Sequence, residues 1–290
     1  MKRLRIVGLC LVAVFAFTAL IASSASAGQF GTCVKGEKGK SAYSDKYCSK
    51  LASPTNTGGY KWVPNAAPIK ALSEGGETKL KGGAGEIACK HGTNSDEILN
   101  ATENKELFTF RECSLKPFEL PCKNAEIEIE EGKGKAAKKV KVGVLKTYAL
   151  KSHLIDHGSK GPSGKEPAPG EVWNVIEPEG ENAGFTGPGK YLAAFECGPV
   201  PFEVTGTVSS VVNHEYVAAK LKKGKVKAGK AIKPTYKETY SKEGGEQDLT
   251  TTFFNPETMK VESGASAQEG LNEIAIETLP KGFEISNLGL

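Results

Sequence analysis

Short stretches of alternating apolar and polar residues recur along the chain, broken by patches of glycine with lysine or proline. A period of two puts successive side chains on opposite faces of a strand, so the pattern predicts an all-β protein, an antiparallel β-sandwich or barrel-like domain. The clearest pair is Glu126-Ile127-Glu128-Ile129-Glu130, a Gly/Lys/Ala loop, and Lys139-Val140-Lys141-Val142. Ile127, Ile129, Val140 and Val142 share one face, and three Glu and two Lys share the other. Glu opposite Lys contributes only ~0.2–1 kcal/mol per exposed pair. Burial of the apolar face is therefore expected to carry the energetics.

Further strands are predicted over Leu107 to Cys113, Glu171 to Ile176, Lys190 to Cys197, Val200 to Val212, Pro234 to Ser241, Asp248 to Phe254, Met259 to Glu262, Asn272 to Thr278 and Phe283 to Ser286. Gly206 interrupts the apolar face of one of them and reads as a bulge. Asn255-Pro256-Glu257 reads as a hairpin turn. Helical periodicity is best at Ser95 to Lys105 and Ala265 to Ala275, both short and broken. Gly158 to Gly170 and Glu177 to Gly189, rich in Gly and Pro, are expected to be surface loops.

The N-terminal pattern is of another kind. Lys2, Arg3 and Arg5 precede an apolar run from Ile6 to Ala22, and Ala25-Ser26-Ala27 offers small residues at a cleavage site. This predicts a signal peptide over residues 1–27 and an exported, extracellular protein with no transmembrane anchor. Residues 28–64 are then expected to form a small disulfide-clipped module. Val63-Pro64-Asn65-Ala66-Ala67-Pro68 reads as a linker, and 65–290 as one β domain.

Charge and cysteine content change meaning once the leader is set aside. Taking three basic residues and one cysteine from totals of 38 and 7 leaves 35 basic groups against 34 acidic ones, and six cysteines. That near-neutral balance gives no reason to expect nucleic acid or a membrane surface as partner. In an oxidising compartment six cysteines read first as disulfides, with zinc the less favoured alternative because no CxxC occurs. Spacing suggests Cys33–Cys48 and Cys113–Cys122 as clipped loops, leaving Cys89 and Cys197 as a buried staple, both thiols pointing at the core from strand-like runs.

Candidate chemistry is sparse. His153 and His157 would suit a metal only on a helix; on a strand they lie ~13 Å apart and Asp156 faces the other way. His91 and His214 are isolated. No G-x-S-x-G elbow or phosphate-binding glycine loop stands at a strand-to-helix junction, so no catalytic residue, metal or cofactor is assigned. The Glu126, Glu128, Glu130 row reads as a solvated face, and the Lys clusters at 133–141 and 220–230 as exposed loops and edges. Arg111 is the only arginine after residue 27. Tyr43, Tyr47, Tyr60 and Trp62 crowd the N-terminal module, either as its own core or as ligand-facing rings.

Gly31-Thr32-Cys33-Val34-Lys35, Tyr43-Ser44-Asp45-Lys46-Tyr47-Cys48 and Tyr60-Lys61-Trp62-Val63-Pro64 resemble the opening of a group of secreted proteins predicted from soil actinobacterial genomes. Stretches around Cys89, Cys113 and Phe195-Glu196-Cys197-Gly198 are similar in order and spacing to that group. The resemblance implies export and a shared fold, and it transfers no site residue. The expected function is non-enzymatic: surface binding, with cell-wall glycan or another surface protein as candidate partner, or an envelope-associated structural role. The alternatives are an extracellular hydrolase with a site assembled from distant residues and a glycan-binding module. Intact mass of the exported protein before and after reduction with alkylation is expected to give a chain starting at Gly28 with six cysteines oxidised; free thiols would overturn the compartment assignment.

Overall fold

A computed structural model describes residues 28–46, 48, 50–83, 85–131, 138–156, 158–161, 164–168, 171–180, 191–213, 235–240, 247–275 and 283–286. The predicted leader, Tyr47, His157, His214 and the Lys cluster at 220–230 lie outside them. The described residues form strands and no helix. In chain order the strands are β1 (Gln29–Lys35), β2 (Tyr60–Pro64), β3 (Ile69–Gly82), β4 (Gly85–Ile98), β5 (Glu103–Lys116), β6 (Leu120–Lys123), β7 (Ala125–Glu131), β8 (Lys138–Lys146), β9 (Leu150–Asp156), β10 (Val172–Pro178), β11 (Tyr191–Cys197), β12 (Val200–Asn213), β13 (Thr235–Tyr240), β14 (Gln247–Asn255), β15 (Lys260–Ala275) and β16 (Phe283–Ser286).

Every pairing between these strands is antiparallel, and the pairings close on themselves. Five long strands run the length of the molecule in the order β12, β15, β3, β4 and β5, with β13 and β14 bridging β12 to β15. The gap from β5 back to β12 is filled at one end by β9 and β10 and at the other by β6 and β11. The result is an elongated closed barrel of eight staves. Closure pairs the backbone groups that an open sheet would leave at its edges.

The sequence pattern explains most of these strands, and the differences have local causes. Ser95 to Lys105 is the end of β4, a tight connection and the start of β5, with Asn100 Oδ1 accepting the N–H groups of Thr102 and Glu103 at 2.9 and 3.0 Å. Ala265 to Ala275 belongs to one 16-residue strand, β15, rather than to a helix. In the Asn255 turn, its side chain accepts the N–H groups of Glu257 and Thr258, as hairpin chemistry requires. Gly206 is not a bulge, since the β12–β14 register runs without a shift. It has φ +107°, and a Cβ there would lie 1.6 Å from the Asp248 carbonyl oxygen, so only glycine allows the two backbones to approach. The segment from Gly158 is not wholly at the surface, because Pro167 is fully buried.

Disulfide pairing is Cys33–Cys48, Cys89–Cys113 and Cys122–Cys197. The first agrees with the spacing; the suggested Cys113–Cys122 and Cys89–Cys197 bridges do not form. Cys89 and Cys113 face each other across β4 and β5, and Cys122 and Cys197 across β6 and β11. Short loop length misleads here because Cys113 has a closer lateral neighbour in β4 than sequence distance reveals. The β6–β11 join has only two residue pairs, Glu196 with Lys123 and Cys197 with Cys122, as few as β5–β6, so a covalent bond holds one of the short seams of the ring.

The N-terminal module is a second sheet of three strands, β16-β1-β2, with the far end of the chain returning to pair with β1. It is fastened to the barrel by Phe30. That side chain leaves its own sheet and packs with Ala71, Ile98, Leu154, Val172 and Val212 inside one barrel end, and its N–H donates to the Ala101 carbonyl at 2.6 Å. Phe30→Ala is expected to cost about 3–5 kcal/mol of unfolding free energy in denaturant titration. A loss under 1 kcal/mol would show that the plug is dispensable.

Candidate functional site

Inside the barrel, side chains sort into tiers. One end holds a large apolar cluster that includes Ile87, Cys89, Phe108, Leu150, Ile176, Phe195, Phe202 and Val208, and the other holds the small cluster around Phe30. Between them lies a belt of polar residues. On β9 the inward row reads Leu150, Ser152, Leu154; on β10 Val172, Asn174, Ile176; on β12 Val208, Ser210, Val212. β4 contributes Asn94 and Asp96, β5 Asn104 and Glu106, and β3 Ser73, all buried.

Two carboxyl groups sit in this belt as direct cross-strand partners, Asp96 on β4 and Glu106 on β5. Asn94 bridges them, its Nδ2 donating to Asp96 Oδ1 at 2.6 Å and to Glu106 Oε2 at 2.8 Å. The orientation of that amide is fixed because its Oδ1 accepts the Leu107 N–H at 3.2 Å. Asn174 and Asn104 donate to Glu106 Oε1 at 2.9 and 3.3 Å. Burial raises the Glu106 pKa above the ordinary carboxylate range, although Ser152 and the amide donors oppose it. Such a pair resembles the acid–base couples of hydrolases, yet both groups are walled in by strands. Two voids in the large cluster measure about 70 and 40 Å³, far below the ~300–1,000 Å³ of ligand sites.

The open concavity is on the outside. A groove of about 470 Å³ lies between the start of β7 and the outer face of β11 and β12, lined by Lys123, Asn124, Ala125, Glu126, Ala194, Glu196, Pro201 and Glu203, among others. Asn124 makes it. The residue sits where the β7–β8 hairpin leaves the wall, with Nδ2 donating to the carbonyls of Lys146 and Ala194 at 2.8 and 2.7 Å and Oδ1 accepting the Lys146 N–H at 2.7 Å. Beyond this clamp β7 pairs, among the described residues, only with β8. Glu126 meets Lys123 at 3.4 Å, and Glu203 is hydrogen-bonded by Tyr191, whose pKa is raised by burial and then by that carboxylate.

The residues singled out in the sequence fall elsewhere. Tyr43 is buried against Cys33 and Cys48, and half-buried Tyr60 and Trp62 pack on the same cluster. The Trp62 ring also covers Gly31, and its Nε1–H donates to Gln29 Oε1 at 3.2 Å. His153 lies on strand β9, so it and Asp156 have opposite facings. The six described cysteines are in disulfides and so are not thiolate metal ligands. The belt escaped sequence reading for a simple reason. Its signature, a polar residue midway along an inward row, is visible only once the inward parity of each strand is known.

No family model, curated protein or solved structure matches this chain. Among the described residues, no helix is long and apolar enough to cross a membrane.

Linkage gives the belt a measurable consequence. A carboxyl whose folded pKa is raised contributes stability that is fully present below its unfolded value, ~4.3, and lost as pH rises through the folded value. Unfolding free energy from urea titrations is thus expected to fall as pH rises above ~4.3, and Glu106→Gln to make that fall shallower. An unchanged slope in the variant would remove Glu106 as its cause.

Proposed function

We propose that this is an exported, non-enzymatic binding protein that takes its ligand in the groove between the β7–β8 hairpin and the β11–β12 wall. The observation that carries this reading is the separation of chemistry from access. The cross-strand carboxyl pair, Asp96 and Glu106, is buried inside the ring, while the groove is open and of ligand size. A hydrolase needs its acid and base beside the substrate.

Export is supported by the leader-like N-terminus and by three disulfides, which persist outside reducing compartments. The groove walls are rigid where it matters for binding, being sheet on one side and the Asn124 clamp on the other. Its carboxylates, Glu126, Glu196 and Glu203, outnumber its lysine, Lys123, so the field favours a cationic ligand. The half-buried Tyr60 and Trp62 serve the module's own packing first, which weakens the glycan-binding alternative.

The test is an NMR titration with extracellular oligopeptides and soluble peptidoglycan fragments. Binding is expected to move amide signals of residues 123–126 and 194–203 and to weaken at least tenfold in Glu196→Trp, which fills the groove from an exposed position. Shifts confined to Tyr43, Tyr60 and Trp62, or turnover of any of these compounds, would overturn the reading.

A further inference from the structure

The β7–β8 hairpin is unusual in what it leaves uncovered. Its charged face, Glu126, Glu128 and Glu130, is exposed, as the sequence pattern predicts. Its apolar face, Ile127, Ile129, Val140 and Val142, is only half-buried, and none of the four belongs to a core cluster. A two-stranded hairpin with one face half in water is marginal by itself. Among the described residues, β7 has β8 on one edge and no strand on the other, so that edge presents unpaired N–H and C=O groups. No proline or glycine interrupts it. The edge starts at Ala125 and Glu126, which also line the groove.

We propose that the free edge of β7 accepts an extended peptide as a third strand, one in which basic and β-branched residues alternate. This rests on the groove reading above and names its ligand class. Strand addition satisfies main-chain groups for any sequence, and the alternating side chains then choose the partner. On one face, a strand beside β7 meets Glu126, Glu128 and Glu130. β8 already shows the matching chemistry from the other side, with Lys141 opposite Glu128 and Lys139 opposite Glu130. Lysine or arginine at alternate positions of the added strand places each carboxylate between two cations, and Glu196 and Glu203 continue the acidic lining across the groove. On the other face, Val or Ile extends the row of Ile127 and Ile129 and buries it.

A second copy of the chain fits the same edge poorly. Antiparallel β7-to-β7 pairing centred on Glu128 sets Glu128 against its own equivalent and Glu126 against Glu130, which is destabilising. The acidic row thus rejects self-association while selecting a basic strand.

The probe is an acetylated, amidated Lys-Val-Lys-Val-Lys-Val peptide, titrated into the intact mature protein and followed by NMR and amide exchange. Binding is expected to slow exchange in residues 125–130, to weaken as salt is added, and to drop at least tenfold for Lys-Lys-Lys-Val-Val-Val and for Glu128→Lys. Two further peptides, N-methylated at one or the other set of alternate residues, keep the side chains but block backbone pairing. One of them must lose at least tenfold. Equal binding of both N-methylated peptides, no protection in β7, or dimerisation of the protein through β7 overturns the proposal. Glu196→Trp separates the two readings. If it abolishes binding that N-methylation leaves intact, the groove stands and strand addition falls; if it leaves intact binding that N-methylation abolishes, strand addition stands and the groove falls.

Discussion

A carboxyl group with no access to water must be satisfied by the protein around it, and Glu106 makes that demand at the centre of this barrel. Its amide donors come from three strands: Asn94 on β4, Asn104 on β5 itself and Asn174 on β10. They meet only if β4, β5, β9 and β10 hold one register. A slip of one residue turns an inward row outward, and a slip of two moves an amide into an apolar tier. A buried polar group left without its partner costs ~1–3 kcal/mol, more if charged. The belt therefore makes wrong registers expensive, whatever its net contribution to stability.

The two barrel ends are secured by different means. At one end the Cys122–Cys197 bond crosses a seam of two residue pairs, and Cys89–Cys113 lies in the same apolar cluster. At the other, no disulfide is present among the described residues, and Phe30 fills the opening. That plug ties the N-terminal sheet to the barrel, so the 28–64 segment and the β domain share a core, and β16 returns from the C-terminal side to complete the small sheet. The interior has been spent on packing and register. What remains for recognition is the outer surface, above all the hairpin that Asn124 holds away from the wall.

Much of the fold can be read from alternation alone. Glu126–Glu130 with Lys139–Val142, the Asn255 turn and most of the predicted strands follow from it, as does the inward facing of Cys89 and Cys197. β4 and β5 are harder, because the inward parity changes partway along each: Ile87 and Cys89 but then Asn94, Asp96 and Ile98; Asn104, Glu106 and Phe108 but then Cys113 and Leu115. Glu112, with φ 52°, lies at that change on β5. A run whose parity switches looks aperiodic; the end of β4 and the start of β5 read as a weak helix for another reason, since their inward positions include polar Asp96 and Asn104 and the apolar–polar alternation is lost there. Leu150–Asp156 is obscured differently. Ile155 is buried on the outer face beside Trp173, Val175 and Val211, so both sides of the strand are covered and no alternation survives.

The amino-acid sequence by itself determined strand character, the Cys33–Cys48 clip and the absence of the familiar catalytic motifs, because these depend on residues close along the chain. Tertiary structure alone decided the closure of the ring, the partners of Cys113 and Cys122, the Asp96–Glu106 belt and the groove at Asn124. Each of these joins residues from strands whose lateral order no local pattern encodes, and in a barrel that order is what sets which polar groups meet, which are sealed from water and which edge is left free.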